Sequence, residues 1–237
     1  MVWTVSAVNR TVLVTGGTGG LGSVVTKHLL DTGWRVVVPW IVREELDRLT
    51  EHPNLHLVEA DLADEGNVET LLSVTAADPH APLFGLVNLV GGFTAGQRVH
   101  EAPIEVLDSQ LDLNLRTAYT VTQASLPHLI RNGGGSVICM SAAATRRPFP
   151  GAASYIASKA AVVALVETLA LEYIDDHIRV NALLPFVIDT PGNRAAMPDS
   201  DRRSWSQPGD IAKVIDFLLS HNGAAITGGS IPVTNVG

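Results

Sequence analysis

Cysteine is almost absent from this sequence. Cys139 is the single cysteine among 237 residues, so the chain cannot form an internal disulfide. It lies in an apolar, strand-like run and has no neighbouring residues that commonly bind metals. We therefore predict that Cys139 is a small core residue rather than a nucleophile, and we expect no metal site.

Positive charge is also scarce. Charged residues make up 17% of the chain, and the formal net charge is −8 at pH 7. Because an acidic protein is poorly suited to nucleic acid or an anionic membrane, we expect neither as a partner. No apolar run approaches the length that spans a bilayer. The N-terminal MVWTVSAVNR lacks the basic region and long apolar core of a signal peptide. These absences favour a cytoplasmic protein with a small-molecule substrate.

The densest motif is a glycine-rich turn near the N-terminus. Five of the seven residues from 16 to 22 are glycine; they follow an apolar run and precede a helical pattern of apolar residues. The order strand, glycine turn, helix is typical of a dinucleotide site, because backbone N–H groups at the helix start suit a pyrophosphate. By itself the turn is also compatible with an ordinary glycine-rich connection.

Strand-like and helix-like segments alternate along the whole chain. The predicted strands are 12–15, 35–38, 55–59, 83–89, 136–141, 178–184 and 230–233. The predicted helices are 20–32, 43–50, 64–75, 103–131, 152–173 and 208–220. This alternation predicts an α/β fold of the Rossmann type, doubly wound, with a seven-stranded, mostly parallel sheet and helices on both faces. We expect residues 1–237 to form a single domain, with the irregular stretch 189–207 as a substrate lid.

Two residues of the predicted helix 152–173 can carry acid–base chemistry. Tyr155 and Lys159 are four residues apart, so they share one face of the helix. A cation beside a phenol favours the phenolate and lowers the pKa of the tyrosine, which lets Tyr155 exchange a proton. A tyrosine and a lysine at this spacing often only pack together, so the pair alone does not decide the function.

Taken together, the motifs resemble the short-chain dehydrogenase/reductase family over nearly the full chain. The resemblance rests on the order and spacing of TGGTGGLG at 15–22, DL at 61–62, NLVG at 88–91, LDLNL at 111–115, YIASK at 155–159, RVNALLP at 179–185, DTP at 189–191 and ITGGSIPV at 226–233. It implies an NAD(P)-dependent oxidoreductase that transfers a hydride between the nicotinamide and a carbonyl, imine or alcohol group. It also implies a homodimer or homotetramer, formed through the fourth and fifth helices and the last strand.

The resemblance implies roles for particular residues. Tyr155 would donate the proton in carbonyl reduction, Lys159 would bind the ribose hydroxyls and tune Tyr155, and Asn114 would hold a water that links Lys159 to solvent. Tyr155 and Lys159 would also contact the cofactor. The rest of the cofactor site would comprise Gly16, Thr18, Gly19, Gly20, Leu21, Gly22, Trp40, Arg43, Asp61, Leu62, Asn88, Gly91, Pro185, Ile188 and Thr190.

The sequence departs from the family pattern at the serine that normally polarises the substrate carbonyl. That serine precedes the tyrosine by about thirteen positions, where this chain has Ala142, and Ser141 is one residue further back. Ser141 can replace it only if the loop shifts by one residue, because successive strand residues point to opposite faces. We keep Ser141 as a candidate catalytic residue. The loss of one preorganised donor typically lowers the rate by about 10² to 10³.

A second departure concerns the choice of cofactor. NAD-dependent members of the family usually end the second strand with an acidic residue, but Trp40 stands at that place here. Arg43 follows shortly and could reach a 2′-phosphate, although a solvated arginine at a helix start is an equally good interpretation. Because no carboxylate at this position would repel the phosphate, NADP is slightly favoured over NAD.

The third departure is Phe186, which stands where the family usually has glycine. With Phe93, Phe149, Met197 and Trp205 it predicts an apolar site for a small apolar or aromatic substrate. The adjacent Arg146 and Arg147 could bind an anionic substrate group, but two solvated surface arginines are the favoured interpretation.

Two alternatives to an ordinary carbonyl reductase remain open. Ala142 and the run Val90-Gly91-Gly92-Phe93 resemble dihydropteridine reductase locally, which implies a pterin or quinonoid acceptor. The other alternative is a nucleotide-binding protein of this family whose catalysis has weakened, and it is motivated by the unusual residues Ala142, Trp40 and Phe186.

Overall fold

The structure is a computed structural model, and it describes residues 10–235. The expectation about a signal peptide falls almost entirely on residues 1–9, which lie outside the described residues. Within residues 10–235, seven strands form one sheet in the order β3-β2-β1-β4-β5-β6-β7. Every neighbouring pair is parallel. The strands are β1 (Thr11–Thr15), β2 (Arg35–Trp40), β3 (Leu55–Glu59), β4 (Leu83–Asn88), β5 (Gly135–Met140), β6 (Ile178–Pro185) and β7 (Ser230–Val233).

In the described part of the chain, seven α-helices lie between the strands. They are α1 (Gly22–Asp31), α2 (Glu65–Thr75), α3 (Ile104–Leu111), α4 (Thr117–Arg131), α5 (Ala153–Glu172), α6 (Pro191–Ala196) and α7 (Pro208–Leu219). Helices α1 and α7 pack their apolar residues into one core cluster. Helices α2, α4 and α5 pack into a second cluster, which also takes side chains from the sheet. The predicted doubly wound Rossmann fold is therefore confirmed.

Two helix predictions and the predicted lid differ in detail from the structure. The predicted helix 43–50 is a short 3₁₀ helix, Arg43–Arg48, because its residues include no buried side chain that would hold a longer helix against the sheet. The predicted helix 103–131 consists of α3 and α4, joined by a π-helical segment, Asp112–Arg116. The predicted lid 189–207 contains the short helix α6, which Thr190 caps by accepting a hydrogen bond from the Asn193 N–H.

Helix α5 corrects the statement that no apolar run approaches the length of a membrane span. By length and composition alone, its 20 residues could cross a bilayer. Within the described residues it is the one helix that meets this test, and it is also a core helix of the sheet. Val162, Val166 and Leu169 belong to the second core cluster, so packing against the sheet accounts for part of its apolar composition.

The order of the strands determines where a ligand can bind. Strand β1 lies between β2 and β4, so the chain crosses to the other side of β1 after β3. Ligands of such folds bind outside the carboxyl ends of the strands at this reversal. The glycine turn that follows β1 and the residues that follow β4 and β5 all lie at that edge.

Candidate active site

The glycine turn forms a tight cradle at the start of α1. Gly16 has a φ of +66°, a backbone conformation that side chains disfavour. Its carbonyl accepts a 3.0 Å hydrogen bond from the Gly19 N–H. A Cβ on Gly22 would lie 1.9 Å from that same carbonyl oxygen, so α1 begins in direct backbone contact with the turn. This close approach and the helix N-terminus fit the pyrophosphate of a dinucleotide.

A cleft of about 600 Å³ extends from this cradle to α5. The glycine turn lines one part of it, and Tyr155 and Lys159 line another. Pro185 and Ile188, which follow β6, complete the wall on the lid side. The structure thus brings residues that are far apart in the sequence into one cavity beside the strand reversal.

Lys159 is the most deeply buried cation of the cleft, with 5% of its surface exposed. Its Nζ donates a 3.0 Å hydrogen bond to the Met140 carbonyl oxygen at the end of β5. Burial lowers the pKa of Lys159 to about 8, because an ammonium group loses the solvation that favours its charged form.

Tyr155 differs from the prediction in one respect. Burial raises the pKa of Tyr155 above its ordinary value, and Lys159 does not lower it. The physical reason is that desolvation disfavours the phenolate, while the Lys159 ammonium donates to a backbone carbonyl. The ring of Tyr155 stacks edge-on against Phe93, with their centroids 4.9 Å apart.

Asn114 lies in the π-helical segment between α3 and α4 and is almost completely buried. Its Oδ1 accepts a 2.9 Å hydrogen bond from the Gly92 N–H, and its Nδ2 donates to the Ser158 Oγ at 3.0 Å. A Cβ on Gly91 would lie 2.7 Å from Asn114 Oδ1 and 2.8 Å from Lys159 Nζ. The absence of a side chain at Gly91 therefore leaves a space that both polar atoms border.

The hydroxyl of Ser141 is already used within the protein. It donates a 2.8 Å hydrogen bond to the Lys159 carbonyl oxygen of α5. A hydroxyl has a single proton to donate, so this geometry leaves none for a substrate oxygen. Ser141 and Ala142 both line the cleft, and Ala142 has no hydroxyl to offer in its place.

Five residues predicted for the cofactor site do not line the cleft. Trp40 ends β2 and is half-buried, and Arg43 begins the 3₁₀ helix and is exposed. Asp61 accepts a 2.9 Å hydrogen bond from the Ala63 N–H, and Leu62 is part of the core. Asn88 is buried at the end of β4, where its Nδ2 donates to Thr122 Oγ1 at 3.0 Å.

Sequence reasoning missed a contact of the glycine turn with the 3₁₀ helix. Thr18 Oγ1 donates a 2.6 Å hydrogen bond to the carboxylate of Glu45. Arg48 pairs with that carboxylate at 2.9 Å and donates to the Thr18 carbonyl oxygen at 3.1 Å. The Thr18 hydrogen bond lowers the pKa of Glu45. No signal in the sequence points to this contact, because Thr18 and Glu45 are 27 residues apart.

The start of the predicted lid is held by an ion pair. Arg194 of α6 binds both carboxylate oxygens of Asp189, at 2.5 Å and 2.8 Å, and these bonds hold the pKa of Asp189 near 2. Thr190 lies across from the glycine turn, since a Cβ on Gly20 would be 3.1 Å from Thr190 Cβ.

The aromatic wall of the cleft contains all but one of the residues proposed for it. Phe93, Phe149, Phe186 and Met197 line the cleft, whereas Trp205 does not. Trp205 is buried with 2% of its surface exposed. The next residue fixes this stretch to the strands, because the Ser206 N–H donates to the Val187 carbonyl oxygen at 2.8 Å.

Comparison with known proteins identifies the family. A family model for short chain dehydrogenases matches residues 10–201. The chain belongs to the short-chain dehydrogenase/reductase family. It is therefore an oxidoreductase of this family, and its cofactor class is a nicotinamide dinucleotide, whose pyrophosphate fits the glycine cradle. The resemblance predicted from the eight motifs is confirmed.

The relatives of this short-chain dehydrogenase/reductase differ in their activities. Human dehydrogenase/reductase SDR family member 4 is 30% identical over 95% of this chain and 86% of its own length. The 2-(R)-hydroxypropyl-CoM dehydrogenase of Xanthobacter autotrophicus is 28% identical over 94% of this chain and 96% of its own length. The 3-ketoacyl-(acyl-carrier-protein) reductase of Brucella melitensis, solved in complex with NADH, is 26% identical, with a TM-score of 0.85 and coverage of 98% and 99%.

Proposed function

We propose that the protein transfers a hydride between a nicotinamide cofactor and a carbonyl, imine or alcohol group of a small substrate with an apolar or aromatic body. The observation that carries the proposal is the shared cleft in which Tyr155 and Lys159 lie opposite the glycine cradle. A phenol, an ammonium and a dinucleotide cradle in one cavity are the parts that hydride transfer coupled to proton transfer requires.

The cofactor supplies the hydride when it is bound, and the protein holds and orients it. The backbone of the glycine turn and the N-terminus of α1 would bind the pyrophosphate. Lys159 would bind the ribose hydroxyls, and Pro185, Ile188 and Thr190 would contain the nicotinamide ring. The ion pair of Asp189 with Arg194 would hold the lid segment over that ring.

Tyr155 would supply the proton at its phenolic oxygen. Burial keeps the phenol protonated at neutral pH, which suits a proton donor for reduction. The space beside Gly91 would hold a water between Asn114 Oδ1 and Lys159 Nζ. Such a water would return a proton to the site after each turnover, in a relay that Asn114 anchors through its four hydrogen bonds.

The missing hydroxyl at Ala142 favours one subset of substrates. Because the Ser141 hydroxyl donates to the Lys159 carbonyl, the substrate oxygen lacks one of the usual two donors. Acceptors that need little polarisation, such as quinonoid pterins and quinones, would react best. The alternative consequence of having Ala142 in place of the serine is a weakened reductase that mainly binds the nucleotide.

We propose NADP as the preferred cofactor. Trp40 leaves the end of β2 without a carboxylate, and the guanidinium of Arg43 has no hydrogen-bond or ion-pair partner within residues 10–235. Glu45 opposes this preference, since it places a carboxylate against Thr18 of the glycine turn. A cytoplasmic location and a homodimer or homotetramer stay predictions.

The experiment begins with cofactor binding and then tests turnover. Binding of NADPH and NADH is followed by energy transfer from the tryptophans to the nicotinamide. Turnover is then measured on a panel of ketones, aldehydes, quinones and quinonoid pterins. We expect Tyr155→Phe to lower turnover by about 10² to 10⁴ while leaving cofactor binding intact, because the ring that packs against Phe93 is kept.

Two outcomes distinguish the alternatives. Cofactor binding without turnover of any panel member would overturn the reductase proposal and favour a nucleotide-binding protein. Ala142→Ser is the discriminating variant, since a gain of about 10² in ketone reduction would show that the rest of the site is assembled. If Ala142→Ser gains activity only on ketones, and the wild-type protein already reduces quinonoid pterins rapidly, the natural substrate belongs to the pterin class.

A further inference from the structure

Arg147 is a charged residue of the cleft that hydride transfer does not use. It follows the short 3₁₀ helix Ala143–Thr145 and precedes Tyr155 by eight residues, and both side chains line the same cavity. The same cavity is also lined by the aromatic residues Phe149 and Phe186. A guanidinium that lines a cavity is a group that can bind an oxyanion in a fixed orientation.

The guanidinium of Arg147 has no partner inside the protein. Within the described part of the chain its side chain forms no hydrogen bond and no ion pair. The described residues that line the cleft include no aspartate or glutamate that could neutralise it. Some arginines of this acidic chain are paired locally, as Arg194 is with Asp189 and Arg203 with Asp201. Arg43 is, like Arg147, without a side-chain partner within residues 10–235, but it does not line the cleft.

The electrostatic environment of the cleft therefore favours an anion. Its two cations, Arg147 and Lys159, lie in a cavity without a carboxylate. Lys159 is already engaged by the Met140 carbonyl and is buried, whereas Arg147 keeps all five N–H donors free within residues 10–235. An anionic group entering the cleft would satisfy those donors and neutralise the charge in one contact.

We propose that Arg147 binds an acidic group of the substrate, a carboxylate or a group of similar charge and shape. This inference rests on the proposed function and deepens it, because it gives the substrate an apolar or aromatic body with an oxyanion at one end. A planar guanidinium binds a carboxylate through two parallel hydrogen bonds, so Arg147 would set the orientation of the substrate as well as its affinity. The reacting carbon would then be presented toward Tyr155.

The chain supplies a matched control in the adjacent residue. Arg146 has the same side chain and the same exposed class on the surface, and it does not line the cleft. Arg146→Gln and Arg147→Gln therefore make the same change in net charge one residue apart. A general electrostatic effect would appear in both variants, whereas a binding contact would appear only at Arg147.

The experiment uses two pairs of small aromatic probes, each with a neutral member and a carboxylate member. Benzaldehyde and 4-formylbenzoate are compared as substrates with NADPH and with NADH. Benzyl alcohol and benzoate are compared as ligands of the cofactor-loaded protein, with their binding measured from the nicotinamide fluorescence, so that this measurement needs no turnover. Thermal unfolding of each variant establishes that it is folded.

We expect the wild-type protein to prefer the carboxylate member of each pair by about 10- to 100-fold, the factor that one charge-assisted hydrogen-bonded pair typically gives. Arg147→Gln should abolish this preference, Arg146→Gln should keep it, and the dissociation constant for the cofactor should be unchanged in both. Added salt should weaken benzoate binding by the wild-type protein more than by Arg147→Gln.

The outcomes separate this inference from the proposed function. Turnover of benzaldehyde and 4-formylbenzoate with equal kcat/KM, together with benzoate binding that Arg147→Gln leaves unchanged, would overturn the anion site and leave the reductase proposal standing. Benzoate binding that depends on Arg147, without turnover of either aldehyde or of any other panel member, would support the anion site and overturn the reductase proposal. Equal losses in Arg146→Gln and Arg147→Gln would assign the effect to net charge and overturn the inference.

Discussion

The side-chain amide of Asn114 donates a 3.0 Å hydrogen bond to the hydroxyl of Ser158. This contact joins the π-helical segment to α5 one residue before Lys159. The orientation of the amide is fixed, because its nitrogen donates to Ser158 while its oxygen, Oδ1, accepts from the Gly92 N–H. A π-helical turn inserts one extra residue into a helix and is frequent at functional sites, and here it directs the Asn114 side chain toward α5.

Gly91→Ala should impair catalysis without unfolding the protein. The added Cβ would lie within 2.8 Å of both Asn114 Oδ1 and Lys159 Nζ, so at least one of these side chains must shift and a water is excluded from the space between them. We expect kcat to fall by at least tenfold, in line with the loss of a positioned proton-transfer group, with a smaller change in cofactor affinity. An unchanged kcat and pH–rate profile would contradict the relay.

Gly22→Ala should destabilise the protein and abolish cofactor binding. Its Cβ would meet the Gly16 carbonyl oxygen at 1.9 Å, so α1 must move away from the turn. Overpacking of this kind typically costs about 1–3 kcal/mol in the free energy of unfolding. Gly209→Ala is the control, because a Cβ there meets nothing within 4 Å. Denaturant unfolding of the two variants measures the difference, and equal stabilities would be inconsistent with this account.

Glu45→Gln should strengthen NADPH binding relative to NADH. The variant keeps an oxygen that can accept from Thr18 Oγ1 but removes the negative charge beside the turn. We expect the NADPH dissociation constant to fall roughly fivefold, the factor for about 1 kcal/mol of relieved charge repulsion. Glu44→Gln, at an exposed neighbour, controls for net charge. A change of equal size for both cofactors or in both variants would argue against a specific role.

The buried Lys159 should give the protein a distinctive dependence of stability on pH. Its pKa is lowered from 10.5 to about 8 in the fold, so between these values the unfolded chain binds one more proton than the folded one. The cost of burying the charge is present below pH 8 and is relieved as the pH rises toward 10.5. The free energy of unfolding should therefore rise over this interval by on the order of 3 kcal/mol through this residue.

The free energy of unfolding is measured with denaturant at several pH values, for the protein that keeps Lys159 and for the Lys159→Met variant. Cys139 titrates in the opposite sense, because burial raises the pKa of its thiol to about 11. Both proteins should therefore carry Cys139→Ala. The rise between pH 8 and 10.5 should vanish in Lys159→Met, and parallel pH profiles for the two proteins would show that Lys159 is not the group responsible.

Most of the fold was predictable from the sequence because the signal is local. Each strand of a parallel sheet covered on both faces is a short apolar run, and every predicted run, from 12–15 to 230–233, corresponds to one strand of the structure. The prediction at 43–50 was wrong in type. A charged segment that packs no apolar face against the sheet has only weak helix propensity to define it.

The candidate site was also predictable only where its features depend on residues close together in the sequence. The spacing of Tyr155 and Lys159 places both on one face of α5, and the glycine pattern predicts the cradle, since helix and turn geometry follow from a few adjacent residues. The environment of those residues is not local. Burial, rather than the neighbouring ammonium, dominates the pKa of Tyr155. Trp205 was predicted to line the apolar substrate site, but it is buried and does not line the cleft.

The sequence by itself determined the order of elements, the cradle, the pair Tyr155 and Lys159, and the absence of a hydroxyl at Ala142. The tertiary structure alone decided that Ser141 donates to the Lys159 carbonyl, that Glu45 binds Thr18, and that one of two adjacent arginines reaches the cleft. The physical reason is that each of these contacts joins residues brought together by crossovers of the sheet. No local pattern specifies which donor meets which acceptor once the strands are assembled.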